Sequence, residues 1–322
     1  MAMPPGDLTI QGGATTSYAE RVIPRELPLG FRRNILGAFA NGAAYLDSLP
    51  EVIAACERQW HIVVGTPIVL SYSYVAPARN ARGEEFVLKV SVAGPEFAGE
   101  IEALQAWSGG AAVRLMDFSV DLGALLLERL TPGRTLATLD NDEDATRAAA
   151  QLMRELWRPV PLNASFPTAA QWADGLQRLR TRFDGGTGPF PRVLVETAES
   201  LFRELLPSSE PPVLLRGDLH HFNILSAERR PWIVIDPKGL AGERAYEVGA
   251  LLRNPDIRLS TDVQVQGRRI DILHDELALD RDRMLGWGIS QAVLSAWWSY
   301  EDSGSGWESA CACAEVLMRL TK

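Results

Sequence analysis

The densest group of chemically able side chains lies in LLRGDLHHFNILSAERRPWIVIDPKG, residues 214–239. Asp218, Asn223 and Asp236 supply oxygen donors there, and His220 and His221 stand between the first two. The apolar residues around Ile224 and Ile233 read as two short strands joined by a turn at Glu-Arg-Arg-Pro. Antiparallel pairing returns the far end of the second strand to the start of the first, so Asp236 is expected beside Asn223, with Asp218 just before them. Asp and Asn taken singly are ordinary turn residues. Three of them at one end of a hairpin suit a hard cation such as Mg2+, which takes one or two protein carboxylates together with substrate phosphates.

The Asp-x4-Asn spacing of Asp218 and Asn223 matches the catalytic loop of protein kinases, where the aspartate accepts a hydroxyl proton and the asparagine holds metal. Asp236 then takes the place of the second metal-binding aspartate. A zinc reading is weaker, because adjacent histidines share one metal awkwardly and neither a Glu-x-x-His pattern nor a third histidine stands nearby. His220 or His221 is expected to order the loop by hydrogen bonding. Arg216-Gly217-Asp218 is set aside as an adhesion string, since the sequence offers no secretory context for it.

Phosphoryl transfer also needs groups that hold a nucleotide. Lys89 lies inside the strand-like EFVLKVSV, and Lys89, Lys238 and Lys322 are the only lysines of the chain. A charge inside an apolar strand calls for an anionic partner. The helix that follows offers Glu100, on or beside its apolar face, and Glu102 as second choice. A strand lysine paired with a helix glutamate is how kinases aim an ammonium at the α- and β-phosphates. Backbone around Glu128 and Leu130, in GALLLERLTPGR, is a candidate for meeting the adenine.

The elements that must position these groups fall into a small β-rich lobe and a larger helical one. Helix is expected from about 43 to 59, interrupted near Pro50. Strand-like runs follow at HIVVG, PIVLSYSYVA and EEFVLKVSV, the last two forming a hairpin around PARNARG. PEFAGEIEALQAW reads as a helix opened by Pro95, and two more strands precede TPGRT, a plausible linker. Helices are expected at 142–158, 168–184 and 193–206, and again from about Glu243 onward, with breaks near Asn254-Pro255 and Ser303–Gly306. The domain expectation is a loose extension over 1–22, a nucleotide-binding lobe over 23–130 and a catalytic and substrate-binding lobe over 131–322.

The formal charge of −9 argues against nucleic acid as main partner, since phosphate backbones need a basic face. It is compatible with a cationic small molecule. No uncharged apolar run approaches the roughly 18 residues of a membrane span, and the N-terminal residues lack the order of a signal peptide. Three cysteines, Cys56, Cys311 and Cys313, build no disulfide framework. A cytoplasmic location is the expectation.

GDLHHFNIL, WIVIDPKGLAGERAYEVGALLRNP, VLKV, EALQAW and ALLLERLTPGR together resemble, in order, the aminoglycoside phosphotransferase superfamily. The likeness is to its streptomycin 6-kinase/hydroxyurea antibiotic resistance kinase branch, and it runs from about Trp60 to the C-terminus. It implies an α+β, bilobal protein-kinase-like fold, with a small antiparallel β lobe and a larger mainly helical lobe. It implies ATP, Mg2+ and phosphorylation of a small-molecule hydroxyl. Carried over, Asp218 is the catalytic base, Asn223 and Asp236 are metal ligands, and Lys89 is the phosphate-binding lysine. Two departures stand out. Arg216 replaces the usual histidine before Gly-Asp. The phosphate-covering tip, LSYSYVAP, contains no glycine, which leaves backbone amides and the Ser71 or Ser73 hydroxyls to meet phosphate.

Streptomycin carries guanidinium groups, so its pocket should offer carboxylates. Glu243, Glu247, Asp271, Glu276, Glu301 and Asp302 are the downstream candidates, with Lys238 as a phosphate contact or a salt-bridge partner. Trp297, Trp298 and Tyr300 could bracket a ligand, although at helical spacing such residues more often form core. A sugar or metabolite kinase, and a non-catalytic kinase-like binding protein, remain as alternatives.

Overall fold

The structure is a computed structural model that describes residues 27–321 apart from Val69. The extension expected over 1–22 lies outside the described residues. Contacts divide the chain into two units. One takes the described residues up to Ala98 together with Leu115–Arg129; the other takes Gly99–Arg114 and the chain from Leu130 onward. A single cut near 130 is therefore too simple. Ala103, Trp107, Ala111 and Ala112 bury their side chains in the larger unit's core, and they carry their segment with them.

The smaller unit opens with helices α1 (Leu29–Ala38) and α2 (Gly42–Trp60). Strands β1 (Ile62–Val64), β2 (Ser73–Asn80) and β3 (Glu85–Ser91) follow. Helix α3 (Pro95–Trp107) leads away, and β4 (Leu115–Ser119) and β5 (Ala124–Glu128) complete an antiparallel sheet in the order β1-β2-β3-β5-β4. Alternation along the strands puts Tyr74, Ala76, Ala78, Leu88, Val90, Ala124 and Leu126 into one cluster with Leu46, Leu49, Ile53 and Cys56 of α2. Pro50 does not end α2. It removes one backbone donor, but apolar residues on both sides of it share the same buried face.

The first strand of the expected 67–76 run begins only at Ser73, and the described residues between Val64 and Ser73 belong to the β1–β2 connection. Gly65 N and Ile68 N still donate to Pro77 O and Val75 O, so pairing continues toward a tip that includes Ser71. α1 has no counterpart in the sequence reading. It buries only Phe31 and Ile35, too few to make a clear stripe.

The larger unit contains β6 (Pro132–Thr135), α4 (Asp142–Leu156), β7 (Arg158–Pro159), α5 (Ala169–Arg182) and α6 (Arg192–Leu205). Next come β8 (Val213–Leu215), β9 (Ile224–Ala227), β10 (Arg230–Val234) and β11 (Leu240–Gly242). It closes with helices α7 (Val248–Leu252), α8 (Ile257–Ser260), α9 (Val263–Leu277), α10 (Arg281–Ser303) and α11 (Glu308–Leu320). Two small sheets run in the orders β10-β9-β6 and β11-β8-β7. The expected linker TPGRT is thus a strand, with Pro132 opposite Ala227 and Thr135 opposite Leu225. α10 is buried almost all round from Met284 to Trp297 and is the axis of this core. Among the described residues no helix is long and apolar enough to cross a membrane.

Candidate active site

β9 and β10 pair with Leu225 opposite Ile233 and Ile224 opposite Val234. Pro231 cannot donate to a ladder, and the register shifts between Arg230 and Ile233. Ile235 N donates to Asn223 O at 2.9 Å, which brings the end of β10 beside Asn223, as the hairpin argument requires. Asn223 does not open a strand; it ends a 3-10 turn at His221–Asn223. Asp236 follows β10 at φ +51°, a left-handed conformation uncommon for a non-glycine residue.

The loop carrying Asp218 is fixed from below. β8 pairs with β11, Leu215 opposite Leu240, and Lys238 N donates to Arg216 O at 2.9 Å. Glu247 accepts from Arg216 N at 2.7 Å and Gly217 N at 3.0 Å. Gly217 has φ +90°, and a Cβ there would stand 3.1 Å from the ring of Trp172, so no other residue fits without strain.

Asp218 and Asp236 keep 35% and 45% of their side chains exposed, above the fully buried guanidinium of Arg216. Arg216 Nη1 lies 3.6 Å from Asp218 Oδ2, and Nη2 lies 3.8 Å from Asp236 Oδ2. The same guanidinium donates to Ile235 O, at 3.1 Å from Nη2 and 3.3 Å from Nε. It also donates to the carbonyls of Asp218 and Asp236. Arg253, 12% exposed, approaches Asp218 Oδ1 to 3.7 Å. His220 accepts from Phe222 N at Nδ1, which leaves Nε2 to carry a proton toward Asp218 Oδ2 at 3.5 Å. The Asn223 amide is satisfied only with its oxygen turned to these donors, at 2.6 Å from Arg216 Nη2 and 3.0 Å from His220 Nε2.

Burial alone would raise the Asp218 carboxyl. His220 beside it, with Arg216 and Arg253, reverses this and holds it well below the usual carboxylate range. Burial pushes Glu247 the other way, up to about 7, against its backbone hydrogen bonds and the Arg216 charge. His221 is buried, has no hydrogen-bond partner at either ring nitrogen, and is pushed down to about 3 by burial and the nearby Arg269. Loop ordering therefore falls to His220.

Two half-exposed carboxylates and an amide oxygen form an all-oxygen set, the amide oxygen reaching a metal by exchanging its Arg216 and His220 hydrogen bonds for it. That fits Mg2+, with Asn223 and Asp236 as the residues that would hold it.

The remaining predicted residues are dispersed. Lys89 is buried in β3, with Val75 and Leu125 as its strand neighbours. Glu100 is buried in α3, whereas Glu102 accepts from Ser165 N at 3.1 Å and so belongs to the larger unit's own loops. Ser73 shares a hydrogen bond with Ser91, Oγ to Oγ at 2.9 Å, and Ser71 is exposed at the β1–β2 tip. Glu128 ends β5, and Leu130 begins the second segment of the larger unit.

Glu243 is a correction as a substrate carboxylate. It is buried against Arg283, at 2.5 and 2.6 Å, and Trp287 Nε1, at 2.6 Å. Glu247 is likewise taken up by the Asp218 loop. Glu301 pairs with Arg178 on the surface at 2.9 and 3.0 Å, Asp271 pairs with Arg281, and Glu276 lies 3.9 Å from Arg154. Asp302 is exposed and Lys238 half-buried. Trp297 is core, packed with Phe183, Phe190 and Tyr300, while Trp298 meets Trp172 edge to face at 5.4 Å.

Sequence reasoning missed Arg253 and Trp172. Arg253 carried one signal, a charge directly after the wholly buried run Val248–Leu252.

Residues 59–303 match the family described as aminoglycoside/hydroxyurea antibiotic resistance kinase. A streptomycin 6-kinase of Streptomyces glaucescens is 30% identical over 92% of this chain and 97% of its own length. A hydroxyurea phosphotransferase of Kitasatospora aureofaciens is 33% identical over 87% of this chain and 82% of its own. Among solved structures, choline kinase from Streptococcus pneumoniae is similar in fold, with a TM-score of 0.61, 11% identity and coverage of 84% of this chain and 99% of that one. The chain belongs to the aminoglycoside/hydroxyurea antibiotic resistance kinase family, phosphotransferases on the protein-kinase-like fold.

Proposed function

We propose that the chain transfers the γ-phosphoryl group of ATP to a hydroxyl of an aminoglycoside, with the 6-hydroxyl of streptomycin as first choice. The observation that carries this reading is Asp218. It is a half-exposed carboxylate held ionised by His220, Arg216 and Arg253, with a second carboxylate on the same guanidinium. Asp218 accepts the hydrogen bond of the incoming hydroxyl, orients its oxygen in line with the γ-phosphorus, and takes the proton as the new P–O bond forms and the bond from the γ-phosphorus to the bridging oxygen breaks, ADP leaving with that electron pair. Asn223 and Asp236 would hold Mg2+, which when bound neutralises phosphate charge.

Lys89 is the proposed phosphate-binding lysine, with Glu100 as its orienting carboxylate. Ser71 at the β1–β2 tip and Ser73 at the start of β2 are proposed to meet phosphate, and backbone near Glu128 and Leu130 to meet adenine. Glu301, Asp302 and Lys238 remain the acceptor candidates, because Glu243 and Glu247 are engaged in the interior, whereas the bridge of Glu301 to Arg178 is exposed.

Purified protein incubated with ATP, Mg2+ and streptomycin tests the reading by mass spectrometry, with hydroxyurea, other aminoglycosides and simple sugars in parallel. Streptomycin should gain the mass of one phosphoryl group. Phosphorylation confined to hydroxyurea or a sugar would overturn the substrate, and no transfer to any acceptor would overturn the phosphotransferase reading.

A further inference from the structure

We infer that Arg216 is a positioning residue, an internal cation that holds Asp218, Asn223 and Asp236 in place before any metal binds. All three side chains proposed to act on phosphate or metal converge on this one guanidinium. It faces the Asp218 and Asp236 carboxylates at 3.6 and 3.8 Å and meets the Asn223 amide oxygen at 2.6 Å. It also ties the backbone on both sides of the site, through the carbonyls of Asp218, Ile235 and Asp236.

The hairpin does not need these contacts to form, since β9 and β10 have their own ladder. What needs them is the pair of aspartates. Two ionised carboxylates gathered at one end of a hairpin repel each other, and without a cation the metal-free loop would relieve that repulsion by spreading. Asp236 adds a reason of its own. Its left-handed backbone persists only where surrounding contacts over-determine it, and the Arg216 bond to its carbonyl is one such contact.

A fully buried charge is itself unfavourable unless carbonyls and counter-charges surround it. Here the site residues provide that surrounding, so the guanidinium and the site stabilise each other. Lysine could supply the charge but not the planar fork that reaches the Asp218 side and the Asp236 side together. The site is thereby preformed, and an entering cation meets carboxylates that are already partly neutralised.

The inference rests on the proposed function only for the roles of the three side chains; its test reads metal-free protein and no turnover. The amides of Gly217, Asn223, Ile235 and Lys238 are hydrogen-bonded within the site and report on it. Their exchange is measured in wild type, Arg216→Met and Arg216→Lys, in EDTA and again in Mg2+. In wild type they should be slow in EDTA, with little change in Mg2+. In Arg216→Met they should exchange about tenfold faster or more in EDTA and slow again in Mg2+, while α10 amides stay unchanged; Arg216→Lys should lie between.

An acceleration that Mg2+ leaves untouched, or that spreads through α10, would reduce Arg216 to a structural residue. No acceleration would overturn the inference. If Arg216→Met does not fold, wild type decides alone: amides fast in EDTA and slow only in Mg2+ would contradict a preformed site.

Discussion

Asp218 and Asp236 keep a third or more of their side chains exposed above a buried guanidinium, whereas Glu243 and Glu247, a short way along the same chain, are buried with both oxygens engaged. All four are carboxylates in one polar stretch, and residue type alone makes each a candidate ligand. The difference lies in remaining capacity. Glu243 is held by Arg283 and Trp287, and Glu247 by two backbone amides, so neither can serve a substrate without abandoning the scaffold. Asp218 and Asp236 are anchored to Arg216 through their carbonyls as well, and each keeps part of its carboxylate surface open to solvent.

Substitutions on each side of this comparison should fail in different ways. Glu243→Ala removes the carboxylate of the half-buried Arg283 and leaves the buried Trp287 Nε1 without an acceptor, and should lower stability by about 3 kcal/mol. Denaturant unfolding checks this, and a loss under 1 kcal/mol would place Glu243 among ordinary surface charges. Asp236→Ala should leave the fold intact but weaken Mg2+-dependent nucleotide binding about 100-fold. Calorimetry with and without Mg2+ reads this directly, and unchanged Mg2+ dependence would remove Asp236 from the metal set.

Glu247 offers a subtler contrast through pH. With its carboxyl raised to about 7, the native state binds that proton more tightly than the unfolded chain does. Its contribution is therefore complete below the ordinary carboxylate range and is lost as pH rises to about 7. The slope approaches about 1.4 kcal/mol per pH unit across that window. Glu247→Gln should flatten this slope, whatever its absolute stability; an unchanged slope would place the titration elsewhere. The smallest effect is expected at Glu301. Its exposed bridge to Arg178 should contribute about 0–1 kcal/mol, so a marked rise in streptomycin KM for Glu301→Gln at unchanged stability would identify it as a substrate contact.

The β9–β10 hairpin and the nearness of Asn223 to Asp236 were legible because period-two apolar residues and a turn determine register locally. The helices at 142–156, 169–182 and 192–205 announced themselves by periodicity in the same way. TPGRT misled because turn residues also open edge strands, and the partner of β6 lies far along the chain in β9. The opposite fates of Glu243 and Asp236 were not legible, since the partners that decide them, Arg283 and Arg216, are brought close only by tertiary packing. Arg216 was visible as a departure from the family pattern, but its burial under both aspartates was not.

Asp218→Asn tests the central claim most directly. Nucleotide binding and single-turnover phosphoryl transfer to streptomycin are measured on the same folded protein, beside wild type. The account predicts Mg2+-dependent ATP binding close to that of wild type, with transfer slowed by about 10²–10⁴. Transfer at the wild-type rate would contradict it, because the carboxylate held ionised by His220, Arg216 and Arg253 would then have no part in the reaction.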